Sequence, residues 1–241
     1  MQNLTHTPRW TAVARRLKAL VHVCPLVARQ VYRARYGPFG PYLAHTFSIP
    51  SWLGRQEGLA LADACHALAT DAVVVEIGSF LGKSTIMLAG ARKMRGSGKV
   101  HCIDPFDASG EAFSAPVYRA IADADARPLR QRFQTNIARA GLTDFVEVHE
   151  GTAASIAARW TEPIDMLFLD GDQSPDGARL TYDLWARFLK VDGLIALHNS
   201  TERSYSPGHD GYHLLAVQTV CPPQYSDVRC VDTTTFARKL S

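Results

Sequence analysis

The chain is expected to fold as an α/β domain built on a doubly wound, seven-stranded, mostly parallel sheet. Two patterns predict this. From about residue 70 onward short apolar runs alternate with helix-period segments, and the runs lack polar alternation, as strands buried on both faces do. The last two runs stand too close together for a helical crossover, so they should pair as an antiparallel hairpin at one sheet edge. With 241 residues, 46% hydrophobic and 20% charged, the chain can bury a sizeable core and does not have the composition of a disordered or fibrous protein. No run approaches the ~18 apolar residues of a membrane span.

The elements follow in order. Residues 1–50 read as a basic helical arm with a covering loop, and residues 51–241 as the α/β domain. Residues 1–56 hold eight Lys/Arg and no Asp/Glu, leaving 18 basic against 23 acidic residues for the remainder. The segment 15–28 has the basic start and apolar run of a signal peptide, but His22 and Pro25 interrupt the run and Arg29 follows it. A pair of short amphipathic helices split near Pro25 is expected instead, packed on the domain or on a second subunit, with a homo-oligomer as the expected assembly. The cations Arg15, Arg16, Lys18, Arg29, Arg33 and Arg35 would be solvated; they also suit peripheral contact with a membrane surface or polyanion. The Gly-, Pro- and aromatic-rich stretch 36–53 reads as a covering loop. Strands are expected at 72–77, 98–103, 145–150, 164–169, 193–198, 226–231 and 233–239, with helices over 54–69, 83–94, 127–140, 152–160, 177–190 and 211–220. Cys24, Cys65, Cys102, Cys221 and Cys230 form no C-x-x-C pair, which favours reduced thiols and a cytoplasmic address.

In an open parallel sheet, ligands bind beyond the carboxyl ends of the strands, so the residues there carry the functional reading. The first strand runs into Glu76-Ile77-Gly78-Ser79-Phe80-Leu81-Gly82-Lys83-Ser84-Thr85, a glycine turn into a helix whose N-terminal N–H groups suit a nucleotide-like or anionic ligand. Gly82-Lys83-Ser84 copies the ending of a phosphate-binding loop, and the run to Asp170 resembles the acidic strand that holds magnesium in such enzymes. The spacing disagrees, because that loop needs four residues between its glycines and only three separate Gly78 from Gly82; Lys83 then reads as a solvated first-turn lysine. A second reading uses more of the chain. Asp104 closes the second strand, where a carboxylate can accept both hydroxyls of a ribose. Pro105-Phe106 can lie against an adenine ring, and Gly151-Thr152 and Asp170 close the third and fourth strands.

On these residues, together with Gly193-Leu194-Ile195-Ala196-Leu197-His198-Asn199, the chain from about residue 50 to 240 resembles the class I S-adenosylmethionine-dependent methyltransferases. Within them it resembles the small O-methyltransferases, which include catechol enzymes and sugar-modifying macrolide and polysaccharide enzymes. The resemblance implies a Rossmann-like methyltransferase fold with S-adenosyl-L-methionine as cofactor. Gly78, Phe80 and Ser84 would line its methionine and ribose side, with Ser79 and Gly82 in the same loop; Asp104 would hold the ribose and Gly151-Thr152 would border the adenine. Glu76 would orient the loop or the methionine amine.

Methyl transfer from a sulfonium asks the protein chiefly to align the acceptor and to remove or neutralise its proton. The resembling enzymes often do this with magnesium held by an Asp after the fourth strand and another after the fifth. Here Asp170 and Asp172 are present, but Asn199 takes the second position, so a weak magnesium site of Asp170, Asp172 and Asn199 is the expectation. Gln173 stands where relatives carry Lys or His and cannot act as a base, which leaves Asp172, His198 and His209 as candidate proton acceptors. The segments 107–128 and 199–212 flank the expected cleft with hydroxyls, carboxylates and aromatic rings, suiting a sugar or polyhydroxylated acceptor; Phe47, Trp52, Tyr118 and Tyr205 would also cover a phenol. Nucleic acid is not an expected partner, because the body is net acidic. The leading reading is O-methyl transfer to a hydroxyl of a sugar or small natural product. The alternatives are a nucleotide-triphosphate enzyme on Lys83, Ser84 and Asp170, and a cofactor-binding protein without catalysis.

Overall fold

A computed structural model describes residues 25–202 and 206–241. The first half of the basic arm, with Arg15, Arg16, Lys18 and Cys24, and Tyr205 of the candidate aromatic cap lie outside the described residues. The helices are α1 (Pro25–Tyr36), α2 (Gly40–Thr46), α3 (Arg55–Ala67), α4 (Lys83–Arg95), α5 (Ala115–Asp123), α6 (Leu129–Arg139), α7 (Ala153–Ala157), α8 (Pro175–Trp185) and α9 (Gly211–Gln218). The strands are β1 (Val74–Ile77), β2 (Val100–Asp104), β3 (Val146–Glu150), β4 (Ile164–Leu169), β5 (Leu189–Leu197), β6 (Tyr225–Val231) and β7 (Thr234–Lys239).

All seven strands join one sheet in the order β3-β2-β1-β4-β5-β7-β6. Strands β1 to β5 are parallel to their neighbours, and β7 inserts antiparallel between β5 and β6. The unbroken apolar runs have a direct cause: each face of the sheet carries its own core. Val74, Val100, Met166, Phe168 and Ala196 point to one core, packed with α2, α3, α4 and α6. Val75, Ile77, Ile103, Leu167 and Ile195 point to the other, with α7, α8 and α9. Side chains alternate faces along every strand, so both sets must be apolar. The outer strand β6 is irregular, with a register shift between Ser226 and Arg229 and Asp227 at φ 52°; such a bulged, charged edge discourages pairing with another sheet.

Helix α4 ends at Gly96, whose left-handed backbone lets its N–H bond to Arg92 O. Arg92 is itself fully buried, and its guanidinium donates to the carbonyls of Cys65, Ala69 and Thr70 at the end of α3. Those carbonyls lie in and just past the last turn of α3, where backbone donors run out, so the buried cation adds to their partners and joins α3 to α4.

Three expectations are corrected. The stretch 36–53 contains α2, with Pro41 in its first turn, where a missing N–H costs nothing. Phe39, Leu43 and Ile49 are buried in the same core as β1 and α4, so this part of the covering segment is built into the domain. The helix expected to reach residue 190 stops at Trp185, and β5 begins at Leu189 rather than 193. Leu189 pairs with Ile164 of β4, and this ladder overrides a helical period that the local sequence would allow. Among the described residues no helix is long and apolar enough to cross a membrane.

Candidate active site

A cavity of about 510 Å³ opens at the carboxyl ends of β1, β2 and β4, within the size range of small-molecule sites. Its floor begins at Gly78, which has φ +90°, and where a Cβ would lie 2.3 Å from the Asp170 carbonyl oxygen. Only glycine lets the exit of β1 pass this close to the exit of β4. Beneath the loop Glu76 is fully buried; the Thr85 hydroxyl and Cys102 thiol donate to its Oε2, while Oε1 has no partner. Burial lifts its pKa to about 7, opposed by hydrogen bonds from Ser84, Thr85, Ser79 and Cys102. Glu76 therefore supports the loop from below and does not line the cavity.

Asp104, at the end of β2, lines the cavity wall with its carboxylate fixed on both sides: Oδ2 accepts from Phe80 N–H at 2.8 Å and Oδ1 from Phe106 N–H at 2.7 Å. Burial raises its pKa, and the N–H groups of Phe80, Phe106 and Ser79 act in the other direction. Each carboxylate oxygen keeps a further lone pair for a hydroxyl. Gly78, Ser79, Phe80, Ser84, Pro105, Thr152 and Asp170 also line this wall. Besides Glu76, three of the expected cofactor residues do not. Phe106 turns into the core against Phe133, ring centroids 5.3 Å apart. Gly82, left-handed at φ +86°, lies where a Cβ would strike Phe133 and Ile137, and so packs α4 on α6. Gly151 donates its N–H to Asp104 O at 3.1 Å and shapes the turn from behind.

Lys83 is half-buried and lines the cavity, contrary to its reading as a solvated lysine; burial lowers its pKa and the charge of Glu57 raises it. Beside it His198 is 1% exposed. Its Nδ1 lies 2.7 Å from Asp170 Oδ1, and its Nε2 lies 3.8 Å from Glu57 Oε1 and makes no hydrogen bond. Burial lowers the His198 pKa, but the Asp170 charge and hydrogen bond and the Glu57 charge outweigh it, and the net direction is upward. Glu57 is ionised in turn: burial raises its pKa, but the cationic ring and hydrogen bonds from Thr233, Gly54 and Thr234 bring it below the ordinary value. The result is a buried ring whose charged form is favoured by the carboxyl groups on either side of it.

A second histidine sits on the acceptor side. His209 Nδ1 lies 2.8 Å from Glu111 Oε1, and both residues line the cavity. Burial raises the Glu111 pKa, yet hydrogen bonds from Ser114, its own backbone, His209 and Gln173 bring it below the ordinary value. With Glu111 accepting from Nδ1–H, a neutral His209 ring would present the lone pair of Nε2. Phe113 covers His209, centroids 4.4 Å apart, and Trp52, Tyr118 and Phe80 form a run of ring contacts at 5.2 and 5.1 Å.

One oxygen of each residue expected to hold magnesium is otherwise engaged. Asp170 Oδ1 accepts from His198 and, at 3.4 Å, from Gln173 Nε2. Asp172 Oδ1 accepts from the N–H and hydroxyl of Ser174, the residue that caps α8. Asn199 donates Nδ2 to Gln173 Oε1 at 3.1 Å, and its oxygen accepts from Thr233. A hard cation requires converging oxygens with free lone pairs; Asp170 and Asp172 each offer only Oδ2 unengaged, and Asn199 turns its N–H group to Gln173. As arranged, these residues do not present a ready oxygen shell for the ion.

Sequence reasoning missed Glu57 and Glu111. Gly54 and Glu57 do have the spacing of a helix-start pair, and Gly54 N–H donates to Glu57. The contacts of Glu57 with Thr233, Thr234 and His198 join positions more than 140 residues apart, which no local pattern shows.

The strand order, the glycine turn after β1 and the acid closing β2 define the class I methyltransferase fold. The chain belongs to the family described as methyltransferase domain, whose model matches residues 75–200, just over half of the chain. A catechol O-methyltransferase from Niastella koreensis is 29% identical over 134 residues, covering 54% of this chain and 49% of the relative; the chain thus matches about half the length of that curated relative. Among solved structures, the O-methyltransferase from Bacillus cereus in complex with SAH has TM-score 0.59 and 19% identity, covering 88% of this chain and 97% of that one. The O-methyltransferase TomG from Streptomyces achromogenes, involved in tomaymycin synthesis and bound to SAM, has TM-score 0.54 and 21% identity, covering 83% and 90%.

Proposed function

We propose that the protein is an S-adenosylmethionine-dependent O-methyltransferase acting on a hydroxyl of a sugar or small natural product. The observation that carries this reading is Asp104, a carboxylate fixed by the N–H groups of Phe80 and Phe106 on the wall of a cavity floored by Gly78. That geometry presents two oriented acceptors to the two hydroxyls of a ribose. The bound cofactor supplies an electrophilic methyl group on a sulfonium, transferred by in-line displacement.

The chain's own residues then align the acceptor and take its proton. Asp170 and Glu57 favour the charged form of His198, so it serves as a positioning residue that fixes the Asp170 carboxylate. The proton acceptor is His209: Glu111 orients its ring and Nε2 is left to receive the hydroxyl proton. Trp52 and Tyr118 cover the acceptor and exclude water, while Glu111, Gln173 and Asn199 supply polar contacts suited to a polyhydroxylated molecule. The relationship to a catechol O-methyltransferase supports the hydroxyl acceptor. The buried thiols of Cys65 and Cys102 support a reducing, cytoplasmic address.

Calorimetric titration with S-adenosylhomocysteine and with ATP tests the cofactor. Binding of the first alone is expected, and binding of ATP alone would reject the reading. A screen of hydroxyl compounds for the mass gain of one methyl group identifies the acceptor. With it, His209→Gln should lower kcat about 10²- to 10⁴-fold, the usual contribution of a general base, and leave S-adenosylhomocysteine affinity unchanged. A variant of full activity would move the proton to another group.

A further inference from the structure

Away from the cavity, strands β2 and β3 bring His101, Glu147 and His149 together. Register pairs His101 with Glu147 and Ile103 with His149, and partners in parallel strands share a face. All three side chains therefore stand on one face of the sheet, along its β3 edge. His101 Nδ1 lies 3.1 Å from His149 Nε2, which lies 3.7 Å from Glu147 Oε1. One ligand atom from each falls within 4.8 Å of the others.

We propose that His101, Glu147 and His149 form a binding site for a divalent transition cation of the zinc class, with water in the fourth position. Tetrahedral bonds of about 2.0–2.1 Å give donor–donor edges of roughly 3.3 Å, so the observed spacings need only small ring rotations to meet on one centre. A hydrogen bond between two imidazole nitrogens requires one of them to be bare, so a lone pair already points into the gap. Two imidazoles and one carboxylate suit zinc-class ions and not magnesium or calcium, which prefer all-oxygen shells. The site is also walled and accessible. Trp160 packs its ring edge-on against both imidazoles, centroids 5.1 and 5.7 Å away. The side chains of His149 and Glu147 are 22% and 45% exposed, which leaves an entry path. Lys99 lies 3.7 Å from Glu147 Oε2, and it is the other oxygen, Oε1, that faces His149. None of the three residues lines the cavity, so the site is independent of methyl transfer; a bound ion would tie the edge strand β3 to β2.

The test is calorimetric titration of the full chain, first stripped with chelator, with zinc ions. One equivalent should bind and raise the Tm by mass action. The affinity should fall at least tenfold in His149→Ala and in Glu147→Gln, with circular dichroism unchanged. Substituting the two surface thiols, Cys221→Ser with Cys230→Ser, should leave the site intact. Cobalt in place of zinc should give the ligand-field spectrum of a four-coordinate ion in the parent and lose it in His149→Ala. A parent that takes up no stoichiometric zinc, or either site variant binding as tightly as the parent, overturns the proposal.

Discussion

Replacing Asp104 by alanine tests the cofactor site most directly. The carboxylate is held by two short bonds, 2.8 Å from Phe80 N–H and 2.7 Å from Phe106 N–H, so its orientation is fixed before any ligand arrives and little entropy is lost on binding. Hydrogen bonds to a charged group contribute about 1.5–3 kcal/mol. At about 1.4 kcal/mol per tenfold, Asp104→Ala should weaken S-adenosylhomocysteine binding by roughly 10- to 150-fold. The Phe80 N–H it leaves behind borders the cavity, where water replaces the lost acceptor, so the fold should persist. Asp104→Asn keeps one oxygen acceptor and should fall between parent and alanine variant. Burial raises the Asp104 pKa, so lowering the pH through that raised value protonates the group and should weaken binding in the parent but not in Asp104→Asn. Calorimetry with S-adenosylhomocysteine across pH reads both effects, and circular dichroism checks the fold. An alanine variant that binds as tightly as the parent would refute the ribose assignment.

Glu76 carries a pH signature of stability. Its pKa of about 7 in the fold lies above the unfolded value, so its stabilising contribution is present at low pH and is lost as pH rises through about 7. The loss is on the order of 3 kcal/mol and falls between the unfolded and folded values, so Glu76→Gln should flatten the decline of Tm between pH ~4.5 and ~7; an unchanged slope would place the titration elsewhere. Gly78→Ala combines a positive φ with a Cβ 2.3 Å from a backbone oxygen and should cost about 2–6 kcal/mol in denaturant melts. Gly37→Ala, also at positive φ but with nothing within 4 Å, should cost only about 1 kcal/mol. Added magnesium should leave S-adenosylhomocysteine affinity unchanged, because Asn199 and Gln173 turn amide N–H groups where cation-binding oxygens would be needed; tightening with magnesium would contradict that donor set.

The two-core sheet was legible in the sequence because burial on both faces forces runs such as Val73–Val75 and Met166–Leu169 to be apolar throughout. The final hairpin was legible because its strands stand too close for a crossover. Strand-end positions followed from these, which is why Gly78, Asp104, Thr152 and Asp170 were found before the tertiary structure and do line one cavity. Properties of neighbouring turns are local and leave local traces. The identity of the groups that face each other across the cavity is not local. Asp170 and Asp172 read as ligands because their residue types permit it, yet folding gives one a buried histidine partner and sets the other against Ser174, the residue that caps α8. His198 and His209 look alike in one dimension. Only the tertiary structure enclosed His198 between Asp170 and Glu57, favouring its charged form, and set His209 against Glu111 with one nitrogen free. A side chain's protonation and available lone pairs depend on charges and burial contributed by distant segments, and those distances exist only once the chain has folded.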